Sequence, residues 1–175
     1  EEALYSEVQN YIRFEKPDVI ILEDYNKGVL TSSLIKKIID LCNHHHIITA
    51  VDPKRKNFFT YRNATLFKPN LKEVKESLNI LSEEVNDKSL QQIHTHFSEK
   101  LNHTISLITH SEKGIFFGNN QQQKIIASHL RNVADVSGAG DTVIAVASLL
   151  YAATKKIELS AEIANIAGGL VCEEV

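Results

Sequence analysis

The chain has 175 residues, 43% hydrophobic and 23% charged, with a formal net charge of −3. That suits one ordinary globular domain with a sizeable core. No basic cluster stands out, which argues against a nucleic-acid partner, and the longest apolar run is about a dozen residues, too short to span a bilayer.

The chain opens on Glu1-Glu2-Ala3, inside an amphipathic pattern rather than a signal peptide, and it contains no methionine. It stops at Glu174-Val175 without a terminating signal, so a piece of a longer polypeptide is expected. Cys42 and Cys172 sit in separate apolar patterns and have no CxxC partner. They read as buried free thiols, which fits a reducing, cytoplasmic setting.

Residues 2–14 carry helical spacing through Ala3, Leu4, Val8, Tyr11 and Ile12, and Pro17 breaks it. Residues 19–22 form a short continuous apolar run, as in a strand buried on both faces. A loop, Asp24-Tyr25-Asn26-Lys27-Gly28, follows. Thr31 and Ser32 can cap a helix whose apolar face is Leu34, Ile35, Ile38, Ile39 and Cys42. Residues 47–51 read as a second buried strand ending at Asp52-Pro53-Lys54, and residues 58–62 as an irregular turn.

Leu66-Phe67 is a short strand that ends at Lys68-Pro69-Asn70. Asn70 is placed to cap the next helix, and Glu73 falls at the third helical position, as in a capping box. Asn86 and Asp87 open a helix to about Leu101, and residues 105–109 are a strand. Residues 114–117 and 124–127 flank the turn Gly118-Asn119-Asn120-Gln121, a hairpin pattern. Ser160 is expected to cap a last helix through Ala164, Ile166 and Ala167-Gly168-Gly169. The alternation of strands and helices predicts an α/β fold, a mostly parallel sheet with helices on both faces. In such sheets ligands lie beyond the carboxyl ends of the strands, where the polar clusters of this chain fall.

One stretch carries chemistry: Asp135-Val136-Ser137-Gly138-Ala139-Gly140-Asp141-Thr142, followed by an apolar helical run. Small residues at a helix start bring backbone N–H groups and the positive end of the helix dipole to an anion. Glycines and a first-turn aspartate also occur simply as a turn and a dipole partner. A Rossmann fingerprint fails at Val143, and no Walker GK[ST] is present. What remains is a phosphate cradle beside the carboxylate of Asp141, which suits transfer of a phosphoryl group to a hydroxyl. Asn70-Leu71-Lys72-Glu73 reads either as a capping box or as a magnesium site acting through water. Thr109, Ser111 and Gly114 follow a buried strand and form either a nucleotide border or a plain turn. The run His44-His45-His46 and the pair His94 and His96 lack metal-binding geometry.

These stretches, taken in order, resemble the ribokinase/PfkB carbohydrate kinases, whose second signature is matched by Asp135 through Asp141 and whose magnesium–nucleotide motif is matched by Asn70-x-x-Glu73. Asp24-Tyr25-x-Lys27-Gly28, Val51-Asp52-Pro53-Lys54 and Thr109-x-Ser111-Glu112-x-Gly114 are closest to the branch holding the heptose-7-phosphate kinase domain of ADP-heptose synthases. The resemblance implies a ribokinase-like domain of which this chain is the C-terminal part, truncated at its N-terminal side. It implies ATP-dependent phosphorylation of the anomeric hydroxyl of a heptose 7-phosphate, in lipopolysaccharide core synthesis. By the same resemblance, Asp141 is the base and the backbone of Gly138, Ala139 and Gly140 the anion hole. Asn70, Leu71, Lys72 and Glu73 serve Mg-ATP, with Asn70 and Glu73 toward Mg2+. Thr109, Ser111, Gly114 and Gly168 border the nucleotide, and Lys27 and Lys54 are phosphate or sugar contacts. The expected partners are a small sugar phosphate and ATP, with a homo-oligomer and a fused nucleotidyltransferase domain after Val175 compatible with the family. Two rival readings are another sugar or nucleoside kinase of the family, and a non-catalytic fragment.

Overall fold

The computed structural model describes residues 1–80, 86–128 and 137–173. Among these, six strands form one sheet in the order β1-β2-β3-β4-β5-β6. The first four, β1 (Val19–Glu23), β2 (Ile48–Asp52), β3 (Leu66–Phe67) and β4 (Ile105–Thr109), pair in parallel. Then β5 (Ile115–Gly118) and β6 (Gln123–Ile126) return as an antiparallel hairpin. The hairpin turn is closed by Asn119, whose Oδ1 accepts from the N–H groups of Gln121 and Gln122. Parallel strands need crossover connections, and these supply the helices that cover the sheet.

One face carries α1 (Glu2–Glu15), α2 (Ser32–His44), α3 (Leu71–Leu78) and α4 (Asp87–Leu101). Their buried residues Ile12, Leu34, Ile38, Val74, Ile93 and Phe97 meet Val51, Phe67, Ile108 and Phe116 of the strands. The other face carries α5 (Ala139–Thr154) and α6 (Ile157–Glu173), which bury Val143, Ile144, Ala147, Ala161 and Ala164 on Ala50, Leu66, Leu107 and Phe117. Alternate residues of one strand, such as Ala50 and Val51, thus serve opposite cores, the period-2 geometry of a strand buried on both sides.

The expected caps form at three helices. Thr31 Oγ1 accepts from Leu34 N at 3.1 Å, and Asn86 Oδ1 accepts from Ser89 N at 3.0 Å. At α3 the capping box is complete: Asn70 Oδ1 accepts from Glu73 N, and Glu73 Oε2 accepts from Asn70 N, both at 2.9 Å. Ser160 does not cap the last helix. The helix starts one turn earlier, at Ile157, and the buried Ser160 hydroxyl donates to the Lys156 carbonyl at 2.8 Å. Burial of Ile157 against the sheet sets that start, and a serine inside a helix satisfies its hydroxyl on the preceding turn. Both cysteines are buried and neither forms a disulfide, and burial pushes the Cys42 thiol up to about 11. Among the described residues, no helix is long and apolar enough to cross a membrane.

Candidate active site

The carboxyl ends of β2, β3 and β4 open onto a cavity of about 590 Å3 roofed by the start of α5 and by α6. Asn70, Leu71, Lys72, Thr109, Ser111, Gly114, Ala139, Gly140, Asp141, Gly168 and Lys54 all line it. Residues expected from separate stretches of sequence therefore meet in one place. Gly138 takes φ 78° just ahead of α5 and turns the chain into the helix. Asp135 and Val136 lie outside the described residues. Lys27 stands exposed on the loop after β1 and is not among the residues lining the cavity. Glu73 is buried beside the cavity and reaches it through Lys54.

Two residues given no individual role from the sequence form the cavity floor. Lys68, directly after β3, is 2% exposed, and its Nζ lies 3.0 Å from Asp52 Oδ2 at the end of β2. The same ammonium sits under the glycine turn: a Cβ on Gly140 would stand 3.4 Å from it. The floor continues as alternating charge. Lys54 Nζ is 3.6 Å from Asp52 Oδ1 and 2.5 Å from Glu73 Oε1. Burial disfavours the Lys54 ammonium, but Glu73 and Asp52 outweigh it and hold its pKa above the ordinary lysine value. The ladder Lys68–Asp52–Lys54–Glu73 thus runs from the start of α5 to the start of α3. With Lys72 it brings three cationic side chains to the cavity wall of a net-acidic chain. The sequence signals were the strand-end positions of both residues and, for Asp52, the Val51-Asp52-Pro53-Lys54 stretch.

The site's shape depends on close approaches. Gly168 of α6 lies where a Cβ would come within 2.6 Å of Val143 Cγ2, so its lack of a side chain lets α6 pack directly on the first turns of α5. Gly168 therefore sets the position of the Asp141-bearing turn as well as bordering the cavity. Gly114, at φ 99°, passes so near β6 that a Cβ would fall 2.0 Å from the Ile126 carbonyl. Asn165 of α6 donates to the Ala127 carbonyl at 2.8 Å, fastening α6 to the end of the hairpin.

Asp141 stands exposed in the first turn of α5, and its Oδ2 accepts from the Tyr25 hydroxyl at 3.0 Å. Glu23, at the end of β1, is pushed above the ordinary carboxylate range by burial and then by repulsion from Asp141 and Asp52. Asp141 is thus an accessible carboxylate at the rim, beside a cavity lined by amide donors and ammonium groups. As a metal site, the described residues hold no cluster of three or more His, Cys, Asp or Glu side chains. The oxygen donors nonetheless fit a hydrated Mg2+, which takes hard oxygens and keeps its waters. Asp52 Oδ1 is buried at the cavity with no hydrogen-bond partner, and Glu73 and Asn70 lie on the same side.

Comparison with known proteins agrees with this geometry. The chain is 39% identical over 159 residues to the bifunctional protein HldE of Sulfurimonas denitrificans, covering 90% of this chain and 32% of that protein. It is 36% identical over 160 residues to HldE of Helicobacter pylori, covering 91% of this chain and 34% of the relative. The chain therefore spans about a third of the length of these relatives. The fold matches phosphofructokinase-2 from Escherichia coli in complex with potassium, with a TM-score of 0.84 at 15% identity, over 99% of this chain and 55% of that one. Arabidopsis thaliana ribokinase complexed with ribose and ATP matches with a TM-score of 0.78 at 16% identity, over 99% and 54%. The family model for pfkB carbohydrate kinases matches residues 3–175, so a glycine turn, a rim carboxylate and a lysine-lined cavity here belong to a member of the pfkB family of carbohydrate kinases.

Proposed function

We propose that the protein to which this chain belongs is an ATP-dependent sugar kinase, with a heptose 7-phosphate as its acceptor and the anomeric hydroxyl as the attacking group. The observation that carries the kinase reading is the single cavity in which an accessible carboxylate, an uncrowded glycine turn at a helix start and three lysines converge. The heptose assignment rests on the Asp24 to Gly28, Val51 to Lys54 and Thr109 to Gly114 stretches and on the similarity to HldE proteins.

In this reading the triphosphate lies along the floor, with Lys54, Lys68 and Lys72 balancing its charge. Thr109, Ser111 and Gly114 border the nucleotide on one side and α6 on the other. The first-turn N–H groups of α5 face the migrating phosphoryl group, whose charge grows on its equatorial oxygens. The sugar hydroxyl oxygen forms the new bond to the γ-phosphorus as the bond to the ADP oxygen breaks, and Asp141 takes the hydroxyl proton. Asp52, Glu73 and Asn70 would hold the waters of a bound Mg2+, which would further neutralise phosphate charge. The reaction is placed in the cytoplasm, where ATP is available.

The test is Asp141→Asn in the full-length protein, assayed with heptose 7-phosphate, fructose phosphates, ribose and adenosine. The variant is expected to lose on the order of 10²–10⁴ in kcat. Phosphoryl transfer surviving within tenfold would refute the base assignment. Activity on another sugar but none on the heptose phosphate would remove the heptose assignment and leave the kinase.

A further inference from the structure

We infer that Tyr25 is a positioning residue for the Asp141 base: its hydroxyl, from the loop after β1, fixes one carboxylate oxygen so that the other faces the cavity. The inference rests on the kinase reading above. Tyr25 Oη donates to Asp141 Oδ2 at 3.0 Å across 116 residues of sequence, and so ties this loop to α5.

Two features make this more than a chance surface contact. Asp141 is exposed in a first helical turn, where an aspartate side chain is otherwise free to choose among rotamers. Tyr25, in turn, stands beside a fixed anchor. The neighbouring Asp24 is buried, and its carboxylate accepts from Asn57 Nδ2 at 3.0 Å, Tyr61 Oη at 2.8 Å and its own loop's Asn26 N–H at 2.7 Å. Asn57 Nδ2 also donates to the Leu30 carbonyl at 2.8 Å, which closes the far end of the same loop. The phenol therefore projects from a pinned base, not from a free loop tip. Its hydroxyl donates to Oδ2, with the Glu23 carboxylate also within its reach.

The charged surroundings explain why such a donor is useful. Around Glu23, the charges of Asp141 and Asp52 add to its own, and Lys68 opposes them from the cavity floor. A neutral hydroxyl holds the carboxylate in place without competing for the proton that Asp141 is to take. A lysine there would pair with the carboxylate too strongly for it to serve as a base. Consistent with the contact, the Tyr25 phenol is held above the ordinary tyrosine value by its hydrogen bond to Asp141 and then by that residue's charge.

The experiment uses the full-length protein with ATP and its sugar acceptor. Tyr25→Phe keeps the ring and removes the hydroxyl. The expected result is a fall in kcat of about tenfold, the order expected for a lost hydrogen bond to a charged group at a partly exposed site. KM for both substrates should stay within twofold and the thermal midpoint should not move. A purely structural role would move the midpoint, and a substrate-binding role would move KM. Independently, 13Cζ-tyrosine NMR titration should show the Tyr25 signal, assigned by its loss in Tyr25→Phe, titrating above the ordinary value and returning toward it in Asp141→Asn, while the buried Tyr61 stays elevated in both. A kcat within twofold of the parent, or a change carried by KM alone, would overturn the positioning role while leaving the kinase reading standing. Full activity of Asp141→Asn would instead overturn the assignment of Asp141 as base, and this inference with it, while no phosphoryl transfer by the parent protein on any sugar would overturn the kinase reading.

Discussion

Replacing Lys68 by Met is the sharpest test of how the cavity floor is held. Lys68 is 2% exposed, and its ammonium lies 3.0 Å from Asp52 Oδ2, itself in a side chain 9% exposed. Methionine fills nearly the same space, so packing loss is small and the change isolates the charge. Removing one partner of a buried pair leaves the other charge uncompensated and costs roughly 3–5 kcal/mol. Lys54 Nζ remains 3.6 Å from the second oxygen of Asp52, on a side chain 34% exposed, which places the expected loss near the lower bound, about 3 kcal/mol. Removing the stranded charge as well should recover part of this, so Lys68→Met with Asp52→Asn is expected to be more stable than Lys68→Met alone by about 1–2 kcal/mol. Urea denaturation of the parent, both single variants and the double variant measures the cycle. The kinase reading adds that Lys68→Met lowers kcat even where the protein is folded, because the glycine turn loses the cation beneath Gly140. A loss below 1 kcal/mol for Lys68→Met, or no recovery in the double variant, would refute the picture of a buried, mutually dependent pair.

Two further outcomes follow from the packing and from the buried histidines. Gly168→Ala places a Cβ 2.6 Å from Val143 Cγ2, so overpacking of about 1–3 kcal/mol should exceed the gain of about 1 kcal/mol from a better helix former. Adding Val143→Ala should give a favourable coupling of about 1 kcal/mol in a denaturation cycle, and strict additivity would rule the contact out as the cause. His94 and His103 share the Ser106 hydroxyl at 2.8 and 2.6 Å between α4 and β4. Burial, helped by the neighbouring His94 ring, pushes His103 down from 6.5 to about 4. The unfolded chain then binds more protons between these values, so this stabilisation is full above pH 6.5 and is lost as pH falls toward 4. Its size is about 3 kcal/mol, with His94, also lowered by burial, acting in the same direction. Urea midpoints at pH 7 and 4.5 should differ much less in His103→Leu than in the parent, and parallel pH dependences would refute the assignment.

Much of this molecule was legible without coordinates, because the signals are local. The run 19–22, the capping box of Asn70 and Glu73 and the hairpin after Thr109 each depend on residues within a few positions of one another, and each appears where the pattern put it, the hairpin strands shifted by one residue so that Gly118 ends β5 rather than opening the turn. The glycine turn before Val143 was readable for the same reason. Ser160 was misplaced because a serine three residues into a helix looks like a cap, and only the burial of Ile157 against the sheet shows that the helix has already begun.

Composition, periodicity and spacing alone determined the order of strands and helices, the mostly parallel sheet and the edge on which the polar loops gather. Tertiary structure decided what those loops do to one another. In sequence Lys68 is an ordinary lysine before a proline; it becomes a buried cation because a two-residue β3 lies at the centre of the sheet and delivers the next side chain under α5. Tyr25 meets Asp141 because the loop that follows a parallel strand is carried to the carboxyl edge of the sheet, where α5 also begins, however far apart in the chain. Such contacts arise from the closure of long loops onto a shared surface, and no local pattern of residues encodes the partner at the other end.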